Sequence, residues 1–186
     1  LPALREKISD WYATRFQADV APSRIIITAG ASAALHLACL ALIEAGDEIL
    51  MPDPSYPCNQ HFVGAADGRS TLIPTTAAER FQLTADKVAE AWGPDTRGVM
   101  LASPSNPTGT SIAPDELQRL HSWVHSRGGI TLIDEIYLGL SYDEHFGRSA
   151  LAMPGDLGQS VISINSFSKY FNMTGWRLGW LVVPEA

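Results

Sequence analysis

Cysteine and positive charge are both scarce in this chain. Two cysteines, Cys39 and Cys58, fall in separate segments with no CxxC spacing. That pattern predicts free thiols in a reducing, cytoplasmic compartment and excludes a disulfide-stapled fold. Thirteen Lys and Arg against 20 Asp and Glu leave a formal charge of -7. A general affinity for nucleic acid or for an anionic membrane is therefore not expected, although a local basic pocket for a small anion is compatible with an acidic surface. Long apolar runs are missing as well. The most apolar stretch, Ala33 to Ile43, is too short to span a bilayer and carries His36. The N-terminus lacks the basic-then-apolar layout of a signal peptide, and no internal repeat or low-complexity linker is visible.

What remains is an ordinary globular composition. With 186 residues, 46% hydrophobic and 18% charged, the chain is sized for one domain with a substantial core. Short β-branched or apolar runs alternate with segments of helical period, which predicts an α/β fold with a mostly parallel sheet. The expected strands are 24–28, 47–51, 70–74, 98–102, 129–134, 161–166 and 177–183, and the expected helices are 3–16, 32–44, 56–64, 84–91 and 114–126. Pro114 followed by Asp115 and Glu116 suits the last helix, because its missing N–H costs nothing in the first turn and acids there oppose the helix dipole. The chain opens inside a helix and stops just after a strand, so both ends are expected to be cuts through a longer protein.

In an open parallel sheet, ligands collect beyond the carboxyl ends of the strands. The first strand ends in "TAGASAAL", a small-residue turn running into a helix, whose free N–H groups suit a phosphate or simply cap the helix. The fourth ends in "SPSNPTGT", where Asn106 either closes a turn or aims its amide at a ligand. The fifth ends in "GITLIDEIY", with Asp134 placed behind apolar residues, where a carboxylate is costly unless something pairs with it. Tyr137 follows three residues later. The sixth leads into Ser166, Ser168 and Lys169, and then Arg177. Together these groups are what pyridoxal phosphate requires: an amine for its aldehyde, an acid for its ring nitrogen, donors for its phenolic oxygen and cations with N–H groups for its phosphate.

The segment "SFSKYFNMTGWRLGW" resembles the lysine signature of fold-type I pyridoxal-phosphate enzymes, specifically the class I/II aminotransferases related to aspartate aminotransferase. "PDPSYP", "SNPTGT" and "DEIY" occur in the same order as in that family, and the resemblance runs over essentially the whole chain. It implies the three-layer α/β/α large domain of these transferases, with a mostly parallel seven-stranded sheet, over residues 1–186. It further implies transfer of an amino group between an amino acid and a 2-oxo acid, with Lys169 as the Schiff-base lysine and later the proton shuttle. Asp134 would pair with the pyridine nitrogen, Tyr137 and Asn106 would hydrogen-bond the phenolic oxygen, and Tyr56 would stack on the ring. The phosphate would rest on the Ala31 N–H, Ser32, Ser166, Ser168 and Arg177. Family members also carry a small C-terminal domain with the arginine for the substrate carboxylate, and an earlier N-terminal segment that packs on a partner subunit. The resemblance therefore implies a homodimer whose further segments lie outside this sequence.

Other readings compete. Ser166 and Lys169 form an SxxK pair, but the SDN and KTG elements of penicillin-binding enzymes are absent and the lysine follows a strand. His121 and His125 stand one helical turn apart without an HExxH glutamate or a third ligand, so two histidines on a polar helix face are expected rather than a metal site. A carbon–sulfur lyase on the same scaffold and a non-catalytic pyridoxal-phosphate module remain as alternatives.

Overall fold

A computed structural model of the chain describes residues 1–185. The chain opens with α1 (Pro2–Phe16), which starts on a proline at its first turn and ends at Gln17 in a left-handed conformation. Its residues Ile8, Tyr12 and Phe16 are buried, one per helical turn along one stripe. β1 (Ile25–Thr28) follows, then α2 (Ala31–Leu42), β2 (Glu48–Asp53), α3 (Cys58–Gly64), β3 (Arg69–Pro74), α4 (Ala85–Ala91) and β4 (Thr96–Ala102). α5 (Pro114–Ser126), β5 (Ile130–Asp134), α6 (Leu157–Ser160), β6 (Ile162–Ser166) and β7 (Gly179–Val182) complete the order.

The strands form one seven-stranded sheet in the order β1-β7-β6-β5-β4-β2-β3. β2 pairs in parallel with β3 and β4, β4 with β5, and β5 with β6. β7 lies antiparallel between β6 and β1. The expected α/β architecture with a mostly parallel sheet is therefore the observed one. The side-chain alternation of the strands divides the core into two layers. Leu50, Val99, Leu101, Ile133, Trp180 and Val182 pack with residues of α1, α4 and α5. Ile49, Met51, Met100, Leu132, Ile162, Ile164 and Leu181 pack with residues of α2 and α3. Helices thus cover both faces, as buried parallel strands require.

Two local departures from the sequence expectations have clear causes. Arg24, expected to open the first strand, lies in a short 3-10 turn and is 2% exposed. Its guanidinium donates to the Val183 carbonyl at 2.6 Å, to the Gly158 and Gln159 carbonyls and to Gln159 Oε1, so it fastens α6 and the end of β7 to the sheet edge. His121 is the second. It is 1% exposed rather than on a polar helix face, because it extends the buried stripe of Leu117, Leu120 and Val124 along α5. Its Nδ1 is 2.9 Å from Thr131 Oγ1, and its Nε2 lies 3.1 Å from the Leu157 carbonyl and 2.9 Å from Ser160 Oγ. Burial lowers its pKa to about 4, so it is held neutral as a core residue. Among the described residues, no three metal-ligating side chains gather together.

Candidate functional site

The parallel strands deliver their carboxyl ends to one edge of the sheet, and a cavity of about 210 Å³ opens there. α2 contributes Ala31, Ser32 and Leu35 to it; β4 and the loop beyond it contribute Ala102, Pro104 and Asn106. β5 and the turn after it supply Asp134, Ile136 and Tyr137, while β6 and the segment leading to β7 supply Ser166, Ser168, Lys169, Thr174 and Arg177. Tyr56 closes another wall. Every residue singled out above for cofactor or catalysis lines this one cavity.

One end of the cavity is built for an anion. The N-terminus of α2 carries no side-chain cap, so its first N–H groups have no partner within the helix. Gly30 precedes it at φ 86, and a Cβ there would stand 2.5 Å from Arg177 Nη2. A Cβ on Gly179 would meet Gly30 C at 2.6 Å and Ala31 N at 2.8 Å. Both glycines are therefore required for the arginine and the helix end to approach. Arg177, itself at φ 52, uses Nη1 to donate to the Thr174 carbonyl at 3.1 Å and to Ser168 Oγ at 3.4 Å. It has no carboxylate within ion-pair distance among the described residues. An arginine without a counter-ion beside a helix N-terminus makes a locally positive site in an acidic protein. Thr174, which the motifs did not flag, braces this end by donating to the Ser168 carbonyl at 2.7 Å.

Ser166 and Ser168 divide the work. The Ser166 hydroxyl donates to the Leu178 carbonyl at 3.0 Å and accepts from the Ser168 N–H at 3.0 Å. It is 1% exposed, so it shapes the turn that presents Lys169. That commitment leaves nothing for the SxxK reading, in which the same hydroxyl would be a nucleophile. Ser168 Oγ faces Arg177.

The other end holds the acid. Asp134 is the last residue of β5, in register with Ala102 on β4 and Ile164 on β6. Its carboxylate accepts one hydrogen bond, from the Ile136 N–H at 2.9 Å, and its Oδ2 accepts none among the described residues. Burial pushes the carboxyl up to about 6 against that single bond. Tyr56 titrates above its ordinary range, chiefly through the neighbouring Cys58, then through burial and the charges of Tyr137 and Asp134. Lys169 Nζ lies 5.8 Å from the centre of the Tyr137 ring. The lysine is exposed at the cavity wall. Asn106 is also exposed, and its amide makes no hydrogen bond to the described residues.

The family model described as aminotransferase class I and II matches residues 1–186. The valine–pyruvate aminotransferase of Mycobacterium tuberculosis is 41% identical over 184 residues, which cover 99% of this chain and 46% of that protein. The aspartate aminotransferase of Geobacillus stearothermophilus is 32% identical over 185 residues, covering 100% of this chain and 47% of the relative. Among solved structures, an aminotransferase from Mycobacterium tuberculosis superposes with a TM-score of 0.90 at 40% identity, covering 99% of this chain and 46% of that one. An aromatic aminotransferase from Pyrococcus horikoshii superposes with a TM-score of 0.92 at 30% identity, covering 99% and 49%. The chain thus spans about half the length of the relatives it matches.

Proposed function

This chain belongs to the class I and II aminotransferase family, and from that premise we propose that it is a pyridoxal-phosphate-binding domain serving transfer of an amino group between an amino acid and a 2-oxo acid. The observation that carries the reading is the convergence of an exposed lysine, an under-bonded half-buried acid and an arginine without an ion pair among the described residues, at a helix N-terminus, on one 210 Å³ cavity. The residues fit the cofactor in chemistry. The uncapped end of α2, Ser32, Ser168 and Arg177 suit a phosphate dianion, and Asp134 suits a protonated ring nitrogen.

When bound, pyridoxal phosphate supplies an aldehyde that condenses with amines and a ring that withdraws electrons from the substrate's α-carbon. Lys169 supplies the protein's amine and carries the proton to and from that carbon. Asp134, with Oδ2 free, gives up its own proton and holds one on the ring nitrogen. Asn106 and Tyr137 would offer N–H and O–H donors to the cofactor's phenolic oxygen, and Tyr56 would pack against its ring. Ser166, already bonded to Leu178, keeps the lysine turn in shape. A carbon–sulfur lyase would use the same amine and acid, and product analysis separates the two reactions; a non-catalytic module would bind the cofactor and turn over neither.

A homodimer belongs to the same reading. Leu37 and Leu40 on α2 are 44% and 54% exposed, an apolar ridge on the helix whose first turn lines the cavity. A cytoplasmic location is supported by Cys39 and Cys58 being free thiols. The test of the reading is borohydride reduction of the protein mixed with pyridoxal phosphate, followed by peptide mapping. Label on Lys169 is the expected result, and label on Lys7 or Lys87 ends the assignment. Adding a panel of amino acids and following conversion to the pyridoxamine form then identifies the donor.

A further inference from the structure

Gln82 lies outside the cavity, in the connection between β3 and α4, and is 3% exposed. Its side chain reaches the base of the loop that carries Asn106. Nε2 donates to the carbonyl of Ala102, the last residue of β4, at 3.2 Å, and to the carbonyl of Thr110, on the returning arm of the loop, at 2.9 Å. One amide thus ties the two arms together. Its Oε1 is buried without a partner, an uncompensated cost that a glutamine placed only for packing would not incur. Arg80, two residues earlier, reinforces the tie. Arg80 Nε donates to the Ser111 carbonyl at 3.1 Å, the Arg80 carbonyl accepts from Thr110 Oγ1, and the Arg80 guanidinium sits 4.1 Å over the Phe146 ring.

The loop's own bonds are short-range. Ser105 N donates to the Thr110 carbonyl at 2.8 Å, Gly109 N to the Ser105 carbonyl at 2.8 Å, Thr110 N to Thr108 Oγ1 at 3.4 Å and Ile112 N to Ser103 Oγ at 3.1 Å, and the two threonine hydroxyls are 2.8 Å apart. Where the loop starts, Ser103 N donates to the Asp134 carbonyl at 3.0 Å. Asn106 stands at its tip on the cavity wall. We infer that Gln82 is a positioning residue, a brace that holds the 103–112 loop so that the Asn106 amide faces the cavity. This inference rests on the reading of Asn106 as a cofactor contact; the brace itself is measurable without cofactor.

The experiment compares Gln82→Met, Asn106→Ala and the double variant in the full chain, with pyridoxal phosphate as the probe. In cofactor-free protein, Gln82→Met is expected to lower the protection of the Ser105, Thr110 and Ile112 amides against hydrogen exchange, while Asn106→Ala does not. With cofactor, each single change is expected to weaken binding about fivefold, the equivalent of one hydrogen bond, and to shift the pH midpoint of the bound cofactor's absorption in the same direction. Adding Gln82→Met to Asn106→Ala should then weaken binding less than about twofold further, since the brace acts through Asn106. Unchanged amide protection, or a full independent effect in the double variant, overturns the inference. If Asn106→Ala leaves affinity and spectrum untouched while Gln82→Met still loosens the amides, the cofactor role of Asn106 fails and the brace stands. Should Gln82→Met not fold, Gln82→Glu serves alone: its protonated carboxyl can still donate to the Thr110 carbonyl and its ionised form cannot, so loop protection should fall between pH 5 and pH 8, and constant protection overturns the brace.

Discussion

Asp134 and Glu135 are neighbours in the chain, and strand alternation sends their carboxyls to opposite faces of the sheet. Asp134 lines the small cavity on the α2 face and accepts a single hydrogen bond. Glu135 is 1% exposed on the α1 and α5 face and accepts three, from Ser149 Oγ at 2.8 Å, Ser163 Oγ at 2.7 Å and the Ala150 N–H at 2.7 Å. Burial raises both, Asp134 to about 6 and Glu135 to about 7. The surroundings of Glu135 are similarly complete: Trp180 Nε1 donates to Tyr12 Oη at 3.0 Å, and burial drives the Tyr12 phenol well above its ordinary value. A polar group with its hydrogen bonds filled by the protein is structural, and one left open beside a cavity is held for a ligand.

The largest test of that contrast is Glu135→Ala. It strands three buried donors, and a loss of about 3–5 kcal/mol in unfolding free energy is expected from denaturant titration. Cofactor affinity of whatever protein remains folded should be nearly unchanged. A loss of affinity without a loss of stability would reverse the roles assigned to the two faces.

Arg177→Ala is the opposite case. Among the described residues its guanidinium makes two hydrogen bonds and no ion pair, so stability should change little, while the affinity for pyridoxal phosphate should fall about 10–100-fold, the worth of a charge-assisted bond of about 1.5–3 kcal/mol. Titration by cofactor fluorescence measures it. The same titration with pyridoxal, which lacks the phosphate, should show no difference between parent and variant.

These contrasts also mark what was legible in the sequence. Lys169, Asp134, Asn106 and Arg177 were readable because each sits at a strand end inside a short motif, and a parallel sheet brings strand ends together whatever the details of packing. The strands were readable from apolar runs, with errors of a residue or two at their ends. Gln82 was not, because its meaning lies in carbonyls twenty or more residues away. Glu135 carried a signal that passed unused: an acid behind buried residues on its own face of the strand, one position after Asp134. His121 is expected on a polar face together with His125, yet the stripe of Leu117, Leu120 and Val124 already points inward. The exposure of Lys169 had no sequence signal at all.

A smaller change is expected from Tyr12→Phe. It removes the acceptor of the buried Trp180 N–H and should cost about 1–2 kcal/mol, visible as a lowered unfolding midpoint with no effect on cofactor titrations. A defect in cofactor binding here would mean that the two faces communicate through Trp180 on β7, whose Gly179 touches the Ala31 turn.

The smallest change carries the sharpest sign. Asp134 is ionised at a cost in the fold, so its contribution to stability is fully present below its ordinary pKa of 3.8 and is lost as pH rises through about 6. Asp134→Asn removes that cost. The variant should match the parent near pH 3.5 and exceed it at pH 8, by about 0.5–1 kcal/mol because the cavity keeps the carboxylate partly hydrated. Glu135 raised to about 7 acts in the same direction over a slightly higher window, and His121, lowered to about 4, acts oppositely by losing stability as pH falls from 6.5. His121 is unaltered in the variant and cancels in the difference, whereas Glu135 loses the Asp134 charge that helps to raise it, which adds to the gain of the variant at high pH. In the presence of pyridoxal phosphate the order should invert at pH 8, since the ionised Asp134 then has a cation to pair with and the asparagine does not. An asparagine variant that is stabler with cofactor as well as without it would remove the acid from the site and leave the open carboxylate without a purpose.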